Sequence, residues 1–457
     1  MFGINQQEKT IIAQATPKGS GAIALIRISG FTAIEIADQI SKIKNKKLSE
    51  VPTRTIHYGH IFDDNEIIDQ VMLIVMKAPN TFTGEDVIEI TCHNNPFIID
   101  KIIELAISKG ARIAQQGEFT KRAFLNGKID LLQAESINDL IHSNTQIALK
   151  KNLSQLEGSF SNWILKIEEK LLKSLVLCEA SFEFLDDEIE FGSQIIDEIN
   201  SLTSEIKKIK QTFNNKQQIK DGIRIALIGS VNAGKSSLFN LLLGKNRSIV
   251  SNLAGTTRDS VEAGVYNNDF YMTLIDTAGL RQTDDIIEIE GIKRSHEEAQ
   301  KADIILLVFD GSRNLTEKEK EIYNNIIEKY SSKIISILNK VDLKKEFGHQ
   351  VSENIIEIST KNNLNIHLLN EKIKEKVNNL LEKLDSPFLL NQRQFNLLLD
   401  LENKLSDIKK LLSQQSIEYE LLSIHINEAI QSICELTGKN ISEKTMDAIF
   451  KEFCVGK

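Results

Sequence analysis

Cysteine is scarce and scattered in this chain. Its four thiols, Cys92, Cys178, Cys434 and Cys454, lie far apart with no Cys-x-x-Cys spacing. That pattern argues against zinc sites and against a disulfide framework. Proline is nearly as rare, with five residues in 457 and none between Pro96 and Pro387. A stretch so poor in helix breakers and rich in Leu, Ile, Lys and Glu is expected to hold much helix. No apolar run approaches the ~20 residues that cross a bilayer. Met1–Thr10 lacks a basic region followed by an apolar one, so neither a secretion signal nor a membrane is expected, and a reducing cytoplasmic compartment is. No long Lys/Arg block escapes interruption by acids, and the net charge is −9. Contact with nucleic acid is therefore expected to be local, or shared with a partner that supplies the positive surface. What is present, 41% hydrophobic and 26% charged residues, is ordinary globular composition, and the length suggests two or three domains.

Strand-like runs dominate the first ~119 residues: Ala22–Ser29, Thr55–Phe62, Gln70–Lys77 and Asp86–Cys92, with Asp63-Asp64-Asn65 as a hairpin turn. Helical spacing follows Phe31 and Pro96. This reads as an α+β module. Arg27 and Glu89 are charged residues inside strands, which ordinarily face solvent. From Leu153 to Cys178 apolar residues recur in steps of three and four. Continued from Thr145 to Phe184, they define one helix roughly 60 Å long. Further stripes run from Ile195 to Phe213, Phe395 to Leu412 and Leu422 to Leu436. These helices need partners, which predicts one helical domain in two segments with another domain inserted between them. Cys178 and Trp163 lie on the stripe and read as core.

Between those segments sits Gly229-Ser230-Val231-Asn232-Ala233-Gly234-Lys235-Ser236, after an aliphatic strand and before a helical run. Gly-x-x-x-x-Gly-Lys-Ser in that setting is a phosphate-binding loop. Lys235 is expected on the terminal phosphates and the Ser236 hydroxyl on Mg²⁺. There follow Gly255-Thr256-Thr257, then Asp276-Thr277-Ala278-Gly279 after a strand, and Asn339-Lys340-Val341-Asp342 after another. Order and spacing are those of a Ras-like GTPase. Thr257 can offer a hydroxyl to Mg²⁺, Gly279 an N–H to the γ-phosphate. The Asp342 carboxylate accepts from guanine N1–H and N2–H₂, which adenine lacks. Leu280 stands where Ras-like proteins orient water with Gln, so another residue must do so. Asn232 is open to two readings, a turn residue tolerating unusual φ/ψ or a cation ligand beside the phosphates.

The chain also carries Ile12-Ala13-Gln14-Ala15-Thr16-Pro17, Arg27-Ile28-Ser29-Gly30, Phe82-Thr83-Gly84-Glu85-Asp86, Gly117-Glu118-Phe119, Arg122-Ala123-Phe124-Leu125-Asn126, Asp276–Arg281 and the terminus Phe453-Cys454-Val455-Gly456-Lys457. With these motifs it resembles, over essentially its whole length, the MnmE (TrmE) family of tRNA-modifying GTPases. The resemblance implies a multidomain α+β, all-α and α/β protein. Its parts would be a folate-binding and dimerisation domain over 1–119, a helical domain over 120–218 and 384–457, and an inserted Ras-like G domain over 219–383. It implies a homodimer acting with an FAD-containing partner, MnmG (GidA), on the wobble uridine of tRNA. It implies K⁺ bound by Asn232, Ser251, Leu253 and Thr256, and Glu288 as the catalytic residue, orienting the attacking water in Leu280's stead. GTP contacts would extend over 232–237, from Ser251 through Asn252, Ala254 and Gly255 to Thr257, over 276–279, and to Asn339, Lys340, Asp342, Ser359, Thr360 and Lys361. A tetrahydrofolate (5,10-methylene or 5-formyl) would meet Arg27, Glu89, Lys128 and Lys457, with Cys454 a nearby thiol that lacks a visible activating base. The alternatives are a ribosome-assembly GTPase, which would be expected to carry a basic RNA-binding appendage, and a folate-sensing scaffold with a regulatory GTPase.

Overall fold

The computed structural model describes residues 9–44, 46–143, 145–181, 188–211, 213, 222–245, 261–267, 270–276, 297–343, 355–382, 387–414 and 417–456. Two compact units emerge, one of residues 1–141, 153–204 and 396–457, the other of 142–152 and 205–395.

The first unit begins with a seven-stranded sheet. Its strands are β1 (Ile11–Gln14), β2 (Ile23–Ser29), β3 (Ser41–Ile43), β4 (Thr55–Asp63), β5 (Glu66–Met76), β6 (Val87–His93) and β7 (Arg112–Ile113). They lie in the order β3-β4-β5-β6-β2-β1-β7. Alternation decides which face is dry. Ala24, Ile26 and Ile28 of β2 and Ile88, Ile90 and Cys92 of β6 are buried together. Helices α1 (Ala33–Ile40) and α2 (Pro96–Ser108) add Ile36, Ile40, Ile102 and Ala106 to the same core. Asn95 caps α2 through its side chain, which accepts from the Phe97 N–H, and Pro96 occupies a position where no N–H is missed. The intervening residues of β2, Leu25 and Arg27, therefore face the other side.

That other side is where α3 (Glu118–Leu125) lies, with the Phe119 ring 5.6 Å beneath the Arg27 guanidinium. Helices α4 (Leu131–Ile141), α5 (Gln146–Leu156), α6 (Ser159–Ala180) and α7 (Glu188–Gln211) follow in the chain, with residues 142–152 and 205–211 counted in the second unit. The single helix expected over Thr145–Phe184 is two, because Gly158 takes φ 95° and ends the run at Leu156. A left-handed residue ends a helical run and resets the phase of the stripe. Leu153, on the far side of that break, is accordingly 46% exposed, while Phe160, Ile164, Ile167, Leu171 and Cys178 are buried. Trp163 stacks on Phe160 with centroids 5.8 Å apart and is part-buried. Along α7 the expected stripe holds, as Ile195, Ile199, Leu202, Ile206 and Ile209 are all buried.

The later helices α11 (Gln392–Leu412), α12 (Tyr419–Thr437) and α13 (Glu443–Phe450) are numbered after three in the second unit. Helix α12 packs on α6, and α13 on α3. Met446, Phe450 and Phe453 join Leu131 and Ala134 in a small core. The ion pair Lys121–Asp447 ties α3 to α13 beside it.

The second unit holds a six-stranded sheet. Its strands are β8 (Ile223–Gly229), β9 (Val261–Asn267), β10 (Phe270–Asp276), β11 (Ile304–Asp310), β12 (Ile334–Asn339) and β13 (Ile356–Glu357). They lie in the order β13-β12-β11-β8-β10-β9. All pairings are parallel except β9 with β10. Every residue of β11 is buried, as expected of a central strand covered on both faces. Ile225 and Leu227 feed one core with α8 (Lys235–Lys245) and α10 (Ile366–Glu382). Ala226 and Ile228 feed another with α9 (Glu317–Tyr330). No helix among the described residues is long and apolar enough to cross a membrane.

Candidate functional site

Strand β8 lies between β11 and β10, so the chain changes direction across it, and ligands in open α/β sheets bind at the carboxyl ends of such strands. The phosphate loop starts there. Asn232 and Gly234 both have positive φ, 64° and 92°, which turns successive N–H groups of the loop inward. Lys235, buried, donates from Nζ to the carbonyls of Gly229 and Ser230, each at 2.8 Å. Ser236 and Ser237 open α8 on its exposed side, and Asn232 is exposed at the tip of the loop. Ala233 is buried beneath it.

Asn339 joins this loop to the segment around Ser359 and Thr360. It is 0% exposed, donates from Nδ2 to the Ala233 carbonyl at 2.9 Å and accepts on Oδ1 from the Thr360 N–H at 3.2 Å. A Cβ on Gly234 would overlap that Nδ2, so only glycine fits. Asp342 is exposed, and the Ser359 hydroxyl donates to its Oδ1 at 2.6 Å. That bond, with Lys361 and Lys340 nearby, holds the Asp342 carboxyl below its ordinary pKa and keeps it an acceptor. Ser359 is itself fixed by backbone exchange with Leu364, and Lys361 stands exposed two residues on.

A second brace escaped the sequence reading. Lys340, at φ 65°, donates to Asp310 Oδ2 at 2.7 Å, and Ser312 donates to Oδ1 at 2.6 Å. Burial works against the Asp310 charge, but these bonds outweigh it and its pKa is lowered. The Tyr323 hydroxyl accepts from the Ser230 N–H at 2.6 Å and donates to the Val308 carbonyl at 3.1 Å. Arg313 pairs with Glu319 and reaches Ser230 Oγ at 3.4 Å. The segment 310–323 thus ties the phosphate loop to the base-reading motif. Only one part of it was readable beforehand, the Thr316-x-x-Glu319 capping box that starts α9.

In the first unit, register sets Arg27 opposite Glu89 across β2 and β6. The two pair at 2.7 Å, and Arg27 Nη1 also donates to the Gly456 carbonyl at 3.3 Å. The solvated-face reading of these strand charges gives way here, since α3 and the 454–456 segment come over the same face. Gly117 donates its N–H to the Cys454 carbonyl at 3.3 Å, and Gln116 bridges to Val455. The side chain of Lys128 lies against Gly84, whose Cβ would meet its Cε at 2.9 Å. Cys454 is exposed. Arg27, Glu89 and Lys128 are all arranged around α3 and its flanks.

Several expected site residues lie outside the described ones: Ser251, Asn252, Leu253, Ala254, Gly255, Thr256, Thr257, Thr277, Ala278, Gly279, Glu288 and Lys457. Asp276 closes β10, in register with Leu227 of β8.

Two family descriptions match the chain, "GTP-binding protein TrmE N-terminus" over residues 10–128 and "MnmE helical domain" over 131–454. The chain belongs to the MnmE family. It is 37% identical over 465 residues to the tRNA modification GTPase MnmE of Chlorobium phaeobacteroides, covering 98% of this chain and 97% of that one. It is 38% identical over 461 residues to that of Lachnoclostridium phytofermentans, covering 98% and 99%. With the protein of Clostridioides difficile it shares 37% over 459 residues, covering 98% and 99%. MnmE membership thus spans both units, and the multidomain α/β and helical architecture is the one expected of it.

Proposed function

We propose that this protein is a K⁺-activated GTPase that acts on tRNA as a homodimer with the FAD-containing partner MnmG. The product is an aminomethyl or carboxymethylaminomethyl group at C5 of the wobble uridine, its one-carbon unit drawn from a tetrahydrofolate. The observation that carries the reading is the joint presence, in one MnmE-family chain, of the braced guanine site and of the Arg27–Glu89 pair under the 454–456 segment. We divide the chain into 1–119, 120–218, 219–383 and 384–457 on the same basis.

Each residue set fits the group assigned to it. The loop N–H groups and Lys235 suit phosphate oxygens, and the close seat of Gly234 on Asn339 keeps the loop backbone in place for them. Asp342, held anionic, reads the two guanine donors. Mg²⁺ would be held by Ser236 and Thr257 and would neutralise phosphate charge. K⁺ would be held by Asn232, Ser251, Leu253 and Thr256 and would supply the cationic stabilisation that an arginine finger gives elsewhere, worth ~10³–10⁵ in rate. Glu288 would orient the attacking water in place of the Gln that Leu280 displaces. In the first unit, a guanidinium, a carboxylate and an ammonium suit the carboxylates and the pterin donors of a folate, by charge-assisted hydrogen bonds. That group would carry the one-carbon unit, and Arg27, Glu89, Lys128 and Lys457 would orient it.

The test is nucleoside analysis of tRNA from cells lacking the protein, with GTP turnover measured in KCl and in NaCl. The wobble uridine is expected to lose its C5 substituent, and turnover to be far faster in KCl. An unchanged wobble uridine would remove the tRNA reading, and equal rates would remove Asn232 from the cation.

A further inference from the structure

We propose that Arg122 is a positioning residue for the folate site: it locks the Thr81–Asp86 loop onto α3 and so seats Lys128. The proposal deepens the folate reading above and rests on it.

Arg122 is 4% exposed and makes no contact of its own with Arg27, Glu89 or Lys128 among the hydrogen bonds described. Its Nη1 donates to both Glu85 oxygens, at 2.9 and 3.0 Å. Its Nη2 donates to the Lys9 carbonyl at 2.8 Å and to Glu118 at 3.1 Å. Glu85 in turn accepts from the Ser29 hydroxyl at 2.8 Å, and Ser29 bonds the buried Thr83 hydroxyl at 2.8 Å. Ser29 is two residues from Arg27 on the same face of β2, so the network ends beside the folate cation. On its other flank Glu118 takes Arg112 and the Gln115 N–H, at 2.8 Å each.

Two features point beyond ordinary packing. Buried ion pairs contribute little net stability compared with apolar side chains of the same volume, because desolvation offsets the attraction. In the present proposal their use is to fix one geometry of the loop. Arg122 Nε is also buried with no hydrogen-bond partner among the described residues, a cost that folded proteins rarely carry. The guanidinium is thus committed to the two carboxylates and the Lys9 carbonyl at the expense of its own last donor. What those bonds hold in place is specific. The Asn126 amide, at the end of α3, donates to the Thr83 carbonyl at 2.7 Å. Gly84, next in the loop at φ 78°, is the surface on which the Lys128 side chain lies. Free the loop and Lys128 loses its seat, although nothing has touched Lys128 itself.

The experiment titrates 5-formyltetrahydrofolate, followed by calorimetry, into the full-length wild type, Arg122→Gln, Arg122→Lys, Glu85→Gln, Gly84→Ala, Lys128→Ala and the Arg122→Lys/Lys128→Ala pair. Circular dichroism at the assay temperature identifies the samples that are folded. Arg122→Gln is expected to raise Kd at least tenfold, with partial rescue in Arg122→Lys. Gly84→Ala is expected to raise Kd without altering the ion pairs. Because Arg122 acts through Lys128, the double variant is expected to lose less than the product of the two single losses, which a general weakening of the fold would not produce. Folded variants with wild-type Kd, or losses that multiply in full, overturn the proposal. If the Arg122 variants do not fold, Glu85→Gln and Gly84→Ala decide it alone. A wild type that fails to bind the ligand overturns the folate reading itself and is distinguished from either outcome.

Discussion

At the scale of single residues, the proposed guanine site rests on contacts that leave no room for substitution at Gly234. Gly234 has both a positive φ and a neighbour that any Cβ would overlap. Gly234→Ala is therefore expected to weaken GTP binding at least a hundredfold while leaving the helices of the first unit folded. A labelled-GDP titration beside circular dichroism checks both. Glu319 offers a pH test. The hydrogen bond from Arg313, opposed by partial burial and helped by Thr316, lowers its pKa from the ordinary 4.5 to about 2. A depressed carboxylate contributes stability that is full above the unfolded value and is lost as pH falls through the folded one. The stability gap between wild type and Glu319→Gln is thus expected to be largest near pH 7. At pH 3, inside that window, it should shrink by more than half. Urea midpoints at the two pH values read it directly, and a constant gap would mean that Glu319 acts by packing rather than by charge.

At the scale of elements, what could be read in the sequence depended on where the information lay. The strands β8, β11 and β12 are largely aliphatic, as helices covering both faces of that sheet require, and such runs are conspicuous in a sequence. The strand pairs at the edge of the first sheet, β1 and β7, span only Ile11–Gln14 and Arg112–Ile113 and show no periodicity to find. The motifs single out Asn232, Lys235, Asn339 and Asp342 as candidates, since phosphate and guanine impose fixed spacings on a chain that binds them. The brace from Asp310 to Tyr323 and the Arg122–Glu85 pair obey no such spacing. Most of their partners come from helices and loops far apart in the chain, so only the fold brings them together. The single long helix failed for a related reason. Periodicity counts apolar positions and passes over a glycine, yet Gly158 decides the backbone there.

That break gives an element-scale prediction. Gly158 has φ 95° and no atom nearer than 3.7 Å to a Cβ, so Gly158→Ala bears only the left-handed backbone cost, about 1–2 kcal/mol. Gly438, which ends α12 at φ 85°, would add a Cβ 2.8 Å from the Phe124 ring. Gly438→Ala is expected to cost clearly more, because the ring and Leu131 must move as well. Denaturant unfolding of the two variants separates backbone strain from crowding, and equal losses would remove the steric part of the account.

At the scale of the whole molecule, the proposed function gives the two compact units separate duties. Asn339, Asp342 and Ser359 of the proposed guanine site lie in one, and Arg27, Glu89 and Lys128 in the other. Removing residues 454–457 deletes the carbonyl that Arg27 bonds and the strand bridge at Val455. This truncation is expected to weaken 5-formyltetrahydrofolate binding at least tenfold and to leave GDP affinity within twofold of wild type. Titrating both ligands into one preparation tests it, and a parallel fall in both affinities would count against the separation.

The bond from Arg27 to Gly456 has a consequence for how the protein is made. The two residues are 429 positions apart, and ribosomes add ~5–20 residues per second, so about 20–90 s separate their synthesis. For most of that interval the first sheet, complete once Ile113 is made, has its Arg27–Glu89 pair awaiting a carbonyl that has not yet been translated. The nascent chain must wait with that charged pair lacking its last partner, which is the condition that holding chaperones relieve. Slow codons late in the message would lengthen that exposure and lower the yield of active protein without changing a single amino acid.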